Sequence, residues 1–541
     1  MKKKILITCA FPYANGSIHI GHLLEHIQAD ILVRYKKMMN YKVWFICADD
    51  AHGTAITIKA NENNVSEEYL ISQVLKEHKK DLFDFDILYN KYYSTHSKEN
   101  LFFVKKAFNC LKKKRLIKIK TIKQFYDNSK NIFLSDRYVY GSCPFCKSYK
   151  EYGDNCSSCG AFYSVTDLID PISVFSKKKP VLKKTVHLFF NISHFKNILK
   201  KWIFSNVFNE KILKKVLEWL KIGLKDWNIS RDDPYFGFKI PGFKKKYFYV
   251  WLDATIGYIS TFKKLSKDLN LNFKEFWCKK SNTKLYHFIG KDIIHFHSIF
   301  WPSLLDAMSF RKPTKIYVHG YVKINDKKLS KSKNYIISAK KWLKYFDSDS
   351  LRYYYASKIS NGIEDVNINA KDFVYKINSG LVNKIVNLGF RNFKLINKYF
   401  DGMLAKNLEN ISEYNNFLLK FKKVNIFFKD LKYKSVIIEI LKIADFANYY
   451  INNKSPWSFI KKNTNLLYVQ KVCSMGINFF KIIMTYMKPI LPKLSKKVEF
   501  FLNSKLSFES LKSPLLNHKI SNIKILYKRV SMKDFNKLLK K

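Results

Sequence analysis

The sequence predicts an α/β protein: a parallel-sheet domain split by a cysteine-bearing insertion and followed by an α-helical bundle. Three observations carry that reading. The first ~50 residues run strand, loop, helix, strand, a pattern that argues for parallel pairing. Similar strand-like runs return near 250, 285 and 315 after a stretch of different texture. Beyond about 370, apolar residues recur at helical spacing. At 541 residues the chain has room for three or four domains with sizeable cores.

Lys4 to Ala10 is an apolar run of strand length. With its preceding lysines it superficially resembles a secretory signal, but the run is short and Phe11-Pro12-Tyr13-Ala14-Asn15-Gly16 follows with no clear cleavage site. A turn through Pro12–Ser17 leads to a helical pattern from about Gly21 to Met38, and Tyr41–Ala48 reads as a second buried strand ending in Asp49-Asp50. In a parallel sheet both the turn and Asp49-Asp50 lie at the carboxyl edge, where ligands bind. The aromatic and Lys-rich segment from about 116 to 230 reads as an insertion. Strands are expected at Tyr247–Leu252, Lys284–Ile289 and Lys315–His319, the last leading into a Lys-rich loop. Ile437, Ile440, Leu441, Ala444, Ala447 and Ile451 form one helical stripe. The divisions expected are 1–115 and 231–325 for the halves of the sheet domain, 116–230 for the insertion, 326–370 for the Lys-rich loop and its sequel, and 371–541 for the bundle. No run of about 18 apolar residues occurs, so no membrane-spanning helix is expected.

The formal net charge is +55, from 98 basic and 43 acidic residues. Such a charge points to an acidic partner such as nucleic acid. Only eight of the basic residues are arginines, however, and Lys, Ile, Asn, Phe and Tyr are all abundant, as in proteins of AT-rich genomes. Arg grips phosphate bidentately where Lys does not, so drift over solvated faces explains the excess as well as a nucleic-acid surface does. The nine cysteines do not form a disulfide framework, which suits a reducing cytoplasm.

Three motifs carry chemistry. His19-Ile20-Gly21-His22 stands at the junction of turn and helix. A helix N-terminus there offers N–H groups to phosphate, two imidazoles add donors, and Gly21 lets a nucleotide approach the backbone. Lys328-Leu329-Ser330-Lys331-Ser332, late in the sheet domain, supplies mobile ammonium groups that can stabilise a departing pyrophosphate. Cys143-Pro144-Phe145-Cys146 and Cys156-Ser157-Ser158-Cys159 can converge four thiolates on one tetrahedral zinc. No open coordination position is suggested, so that site is structural.

Phe11–His22 together with Lys328–Ser332 resembles the class I aminoacyl-tRNA synthetases, and the match narrows to the bacterial-type methionyl-tRNA synthetases. Phe45–Thr54, Asp226–Arg231, Tyr249–Ala254 and Phe288–Asp292 support it, and the resemblance spans essentially the whole chain. It implies a Rossmann-like catalytic domain with a zinc-knuckle insertion and a helical anticodon-binding domain. The implied reaction joins L-methionine to initiator and elongator methionine tRNA through an adenylate, with ATP entering as its Mg2+ complex. His19, His22, Lys328 and Lys331 are then catalytic. ATP falls to His19, Gly21, His22, Gly290, Asp292 and Lys331. Methionine falls to Phe11, Tyr13, Asp50, Trp251, Ala254, Tyr258, Ile293 and His297, with Asp50 on its ammonium group. Asn387 and Arg391, four apart on one helix face, and Trp457 match positions that read the CAU anticodon.

Four positions depart from the family pattern: Phe11 for Leu, Thr255 for Pro, His295 for Tyr and Leu329 for Met. Leu for Met conserves volume, so that loop is expected to work; Phe11 and His295 bear on pocket shape. Another class I synthetase and a small-molecule nucleotidyltransferase are the alternatives. The insertion is small for an editing domain, and a nucleotidyltransferase needs neither the helical third nor Trp457. With no β-rich segment after the bundle, a cytoplasmic monomer is expected.

Overall fold

The computed structural model describes residues 3–540 other than 154, 155, 157, 160, 162, 326, 329–335, 463, 523 and 524, and for Lys327 and Lys328 the backbone. Five strands form the central sheet: β1 (Lys4–Cys9), β2 (Lys42–Asp49), β3 (Lys91–Ser94), β4 (Lys284–Gly290) and β5 (Lys315–His319). Their order is β5-β4-β1-β2-β3 and every pairing is parallel. The inner strands β1, β2 and β4 are buried on both faces, which explains why they read as near-continuous apolar runs, whereas the edge strands β3 and β5 are half-buried. The order reverses at β1, so a crevice opens between the carboxyl ends of β1 and β4.

Helix α1 (Ile20–Met38) follows the turn. It is buried along most of its length because the sheet covers one side and the helical bundle the other, and one continuous core joins all three. Polar residues tie it down. Asp30 accepts from Arg34 Nε and from Arg352 Nη2, both at 2.6 Å. Arg352, fully buried on α5 (Ser348–Lys358), also donates to the carbonyls of Pro489 (3.0 Å) and Ile490 (2.8 Å). A buried Arg keeps its charge only when its donors are satisfied in this way. Helices α2 (Thr54–Glu62) and α3 (Glu67–Asp84) cover the far end of the site, and α4 (Val250–Asp268) lies on the other face of the sheet.

The insertion is a long antiparallel ribbon, Ile117–Asp127 against Val181–Phe190, carrying a small three-stranded knuckle. The bundle includes α6 (Asn387–Tyr399), α7 (Tyr433–Lys454) and α8 (Leu466–Met487). Helix α8 is long and apolar enough to cross a membrane by composition, contrary to the sequence expectation, but it is mostly buried as the central helix of the bundle.

Two expectations need correction. The strand expected at Tyr247–Leu252 is only Lys246–Phe248, paired antiparallel with Ser230–Asp232; Trp251 and Leu252 open α4. A short apolar run looks the same as a strand or as the first turn of a buried helix. The region beyond 370 is not helical to its end either. Much of the stretch from Asn503 to Ser531 is irregular and runs back over the bundle, burying Leu506, Leu511, Ile520 and Leu526, before a last helix at Met532–Leu539.

Candidate active site

The turn after β1 is pinned to the end of β2: Ala14 N donates to Asp50 O and Asp50 N to Pro12 O, both at 2.8 Å. This holds Tyr13 and Asp50 side by side in a parallel bridge. Gly53, at φ 105°, passes under the Tyr13 hydroxyl, and a Cβ there would lie 2.6 Å from that oxygen.

His19 caps α1. Its Nδ1 accepts from Gly21 N (3.1 Å) and His22 N (3.4 Å), while His22 Nδ1 accepts from His19 N (3.3 Å), and the two rings stack at 3.7 Å. Accepting at Nδ1 leaves the proton of each neutral ring on Nε2. Ile20 N donates to Ile337 O at 3.0 Å and Leu23 N to His19 O at 3.1 Å. The first-turn N–H groups expected to meet phosphate are therefore already satisfied, and the imidazole Nε2–H groups are what this terminus presents.

Ala339 N donates to Ile18 O at 2.9 Å, and His19 pairs with Ser338 in an isolated bridge. The segment that leaves the Lys-rich loop thus lies against the His19 turn. The loop enters from the backbone of Lys327–Lys328, which pairs antiparallel with Val322–Ile324. Leu329 and Lys331 themselves, like the Lys328 side chain, lie outside the described residues.

Gly290 ends β4, where a Cβ would sit 2.5 Å from Asp292 Oδ1, so the carboxylate folds back over a position that must lack a side chain. Nearby, Glu25 on α1 accepts from Ala10 N (2.5 Å) and pairs with His319 Nε2 (3.1 Å), whose Nδ1 reaches Gly320 O (2.7 Å). With acceptors on both nitrogens His319 is an imidazolium. Burial works against that charge, but Glu25 holds the imidazole above its usual range. This pair, close to Asp292, was missed from sequence; the signal was a Glu three residues after His22.

The predicted pocket residues come together in part as one aromatic cluster. Phe11 packs on Tyr258 at 4.6 Å, and Tyr258 donates to His297 Nε2 at 2.9 Å. His297 Nδ1 in turn donates to Ile293 O at 3.0 Å, so the ring is neutral, in keeping with burial pushing it down to about 4. Trp251 stacks face to face on Phe296 at 3.7 Å, and His287 stacks on Tyr258 at 4.6 Å; neither Phe296 nor His287 was predicted. Ala254 is buried on the same first turns of α4.

The departures find local reasons. A Cβ at Gly257 would meet the Phe11 ring at 2.4 Å, so the larger Phe11 fits because residue 257 is glycine. Thr255 donates its hydroxyl to Trp251 O at 3.0 Å, one turn back in α4. His295 packs on Trp219 (4.9 Å) and Trp227 (5.5 Å) and meets Phe296 edge-on at 6.5 Å. It reaches the Trp251 wall through the Phe296 ring.

In the knuckle, the Sγ atoms of Cys143, Cys146, Cys156 and Cys159 all lie within 4.8 Å of one another, with Cys143–Cys159 at 3.9 Å and Cys146–Cys156 at 3.5 Å. Tetrahedral zinc with bonds of about 2.3 Å separates its sulfurs by about 3.8 Å. The donor set fits a zinc knuckle. The knuckle packs on α2 through Tyr138, Leu134 and Ile58, and Arg231 Nε bonds Asp136 at 2.9 Å. Arg231 also lies over the Tyr249 ring at 3.5 Å, next to the start of α4.

On the bundle, Arg391 of α6 donates to Asn448 (2.8 Å) and Asn452 (3.4 Å) of α7. Two residues beyond α7, Pro456 opens a new short helix, Pro456–Lys461, whose second residue is Trp457. Trp457 therefore lies in the first turn of a helix, and it is 37% exposed. Asn387 opens α6, half-buried, one turn before Arg391.

The family model for class I tRNA synthetases (M) matches residues 5–393. Methionine--tRNA ligase of Buchnera aphidicola subsp. Acyrthosiphon pisum (strain Tuc7) is 55% identical over 98% of this chain and 97% of its own. The Wigglesworthia glossinidia brevipalpis ligase of the same name is 52% identical over 99% and 98%. The chain belongs to the methionyl-tRNA synthetases. The reaction of this synthetase is the ATP-dependent attachment of methionine to methionine tRNA through methionyl-adenylate, with release of AMP and pyrophosphate. The fold matches a crystal structure of Mycobacterium tuberculosis methionyl-tRNA synthetase bound by methionyl-adenylate, with a TM-score of 0.81 at 21% identity over 97% of this chain and 100% of that one. Full-length identity of 52–55% leaves no room for another amino-acid specificity or for a small nucleotidyltransferase.

Proposed function

We propose that the crevice between β1 and β4 activates methionine, and that the face shared by α6 and α7 selects the tRNA, initiator and elongator alike. The ATP ribose lies at Gly290 and Asp292, and its phosphates lie at His19, Gly21 and His22. Mg2+ enters with ATP and neutralises phosphate charge. The methionine carboxylate attacks the α-phosphorus, so no protein nucleophile is needed. Charge then grows on the phosphoryl oxygens and on pyrophosphate, where the two Nε2–H donors, Lys328 and Lys331 stabilise it. The observation that carries this reading is the His19–His22 capping box. It fixes both rings in the tautomer that donates, beside the point where the Lys-rich loop rejoins the fold.

Methionine lies among Phe11, Tyr13, Trp251, Ala254, Tyr258, Ile293 and His297, where aromatic faces suit a polarizable thioether. Asp50 takes the ammonium group. Its carboxyl is held well above the usual range by burial and by Asp253, and one of its oxygens is buried without a hydrogen-bond partner among the described residues. An incoming ammonium supplies the missing charge and donor. One zinc on Cys143, Cys146, Cys156 and Cys159 holds the knuckle against α2, a structural role. Asn387, Arg391 and Trp457 read the CAU anticodon, with the exposed indole stacking on an unpaired base. The surplus of lysines strengthens non-specific RNA binding at low salt, whereas those three residues supply discrimination.

The divisions 1–115, 116–230, 231–325, 326–370 and 371–541 then correspond to catalytic half, insertion, catalytic half, loop with stem-contact region, and anticodon domain. A cytoplasmic monomer accords with nine free cysteines; a sedimentation mass near one chain checks the oligomeric part. The decisive experiment is amino-acid-dependent ATP–pyrophosphate exchange across the standard amino acids, followed by tRNA charging. Exchange with methionine alone supports the reading, and exchange driven by another amino acid overturns it.

A further inference from the structure

We propose that Asp253, His52 and His96 form a proton relay that sets the charge beside Asp50 and releases a proton to solvent as the ammonium group of methionine binds. The proposal rests on the assignment of Asp50 to that ammonium.

The geometry is a continuous chain from the pocket to the surface. Asp253, on the first turn of α4, and His52, just past β2, are both fully buried, and His52 Nδ1 lies 3.0 Å from Asp253 Oδ2. His52 Nε2 lies 3.0 Å from Nδ1 of His96, an exposed residue just past β3. With Asp253 protonated, its hydroxyl donates to His52 Nδ1 and His52 Nε2–H donates to His96 Nδ1. With Asp253 ionised the carboxylate can only accept, so His52 donates from Nδ1 and its Nε2 accepts from His96 Nδ1–H. Phe236 and Phe238 sheathe the chain. His52 meets Phe238 edge-on at 4.5 Å, and His96 stacks on Phe236 at 5.5 Å. His96 is held in place because Thr95 donates from N to Asp49 O (3.0 Å) and accepts at its hydroxyl from Ala51 N (2.9 Å).

The inner end has a reason to exchange protons. Asp50, half-buried, and Asp253, fully buried, act on each other, and each keeps one buried oxygen without a hydrogen-bond partner among the described residues. Burial raises both, and Asp253 raises Asp50 further. The other ionisable groups acting here are Asp49 on Asp50, Tyr13 beside Asp50, and Tyr235 beside Asp253. At the outer end, burial and then His52 lower His96, and Glu68 opposes them. Two adjacent buried anions are unfavourable, so one carboxyl holds a proton until a cation arrives.

The step balances without a co-reactant. Methionine brings a positive charge to Asp50 and Asp253 ionises. Its proton passes to His52 Nδ1, the His52 Nε2 proton passes to His96 Nδ1, and the His96 Nε2 proton leaves to solvent. Both histidines are neutral before and after.

Mixing methionine rapidly with the full-length enzyme in weak buffer with a pH indicator tests this. Wild type releases protons in a fast phase, and its methionine affinity rises with pH above the ordinary carboxylate range. D253N loses the release and flattens that pH dependence. H96Q, altered at an exposed residue, keeps the amplitude but slows the release at least tenfold. Wild-type amplitude in D253N, or a wild-type rate in H96Q, overturns the relay; thermal melts of each variant identify any failure to fold, in which case the H96Q rate decides. D50N separates the two readings. Normal methionine binding there removes the Asp50 assignment itself, whereas lost binding in D50N with intact release in D253N removes the relay alone.

Discussion

The crevice proposed for methionine and the helical face proposed for the anticodon are built on opposite plans. In the crevice, side chains are over-determined: buried His297 bonds both Tyr258 and Ile293 O, and half-buried His19 and His22 cap each other's backbone. On the bundle the proposed reading residues are half-buried or exposed, and Arg391 on α6 is steadied by two asparagines from α7. A reacting centre gains from donors that need not reorganise. A surface that must receive a splayed RNA base gains from open rings and exchangeable amide partners. The two sites also share one core, through Arg352 and Asp30, so they are joined mechanically while differing chemically.

The largest expected effect lies at the Lys-rich loop. Lys331→Ala slows adenylate formation by orders of magnitude with little change in methionine affinity; equal pyrophosphate-exchange rates would remove that role. On the anticodon face, Trp457→Ala raises the KM for tRNA, since stacking on one base contributes about 1–3 kcal/mol, or roughly 5- to 150-fold. Pyrophosphate exchange without tRNA stays at the wild-type rate. Zinc removal acts between the two. With chelator, exchange falls several-fold because the knuckle no longer supports α2 and Asp136 no longer steadies Arg231, and metal analysis of active protein gives about one zinc per chain.

The smallest effect concerns stability. Asp81 on α3 is buried with both carboxylate oxygens lacking a hydrogen-bond partner among the described residues, and burial lifts it to about 6. A carboxyl raised on folding favours the folded state at pH values below the unfolded value near 4, and that contribution is lost as pH rises through 6. Asp81→Asn therefore raises Tm at pH 8, by at most about 3 kcal/mol of stability, and changes it little at pH 4. A larger gain at pH 4 than at pH 8 would contradict the burial account.

The same contrast explains what could be read from sequence. The crevice is assembled from contiguous segments at strand ends, so Phe11–His22, Ala48–Gly53 and Phe288–Asp292 each fall at the carboxyl edge of a strand that hydrophobicity alone locates. Phe296 and His287 were hidden because an aromatic is unremarkable in a chain that is 16% aromatic. The Glu25–His319 and Asp253–His52–His96 contacts join positions tens to hundreds of residues apart, and no local pattern encodes them. Asn387, Arg391 and Trp457 were visible only through family resemblance. The end of β5 was legible, whereas the coil from Asn503 to Ser531 was not, since its few buried apolar residues have no period.

The most direct test of this division is to measure pyrophosphate exchange and tRNA charging side by side on W457A. The account predicts methionine-dependent exchange at the wild-type rate with charging reduced at least fivefold at limiting tRNA. A parallel fall in both activities, or unchanged charging, would contradict it.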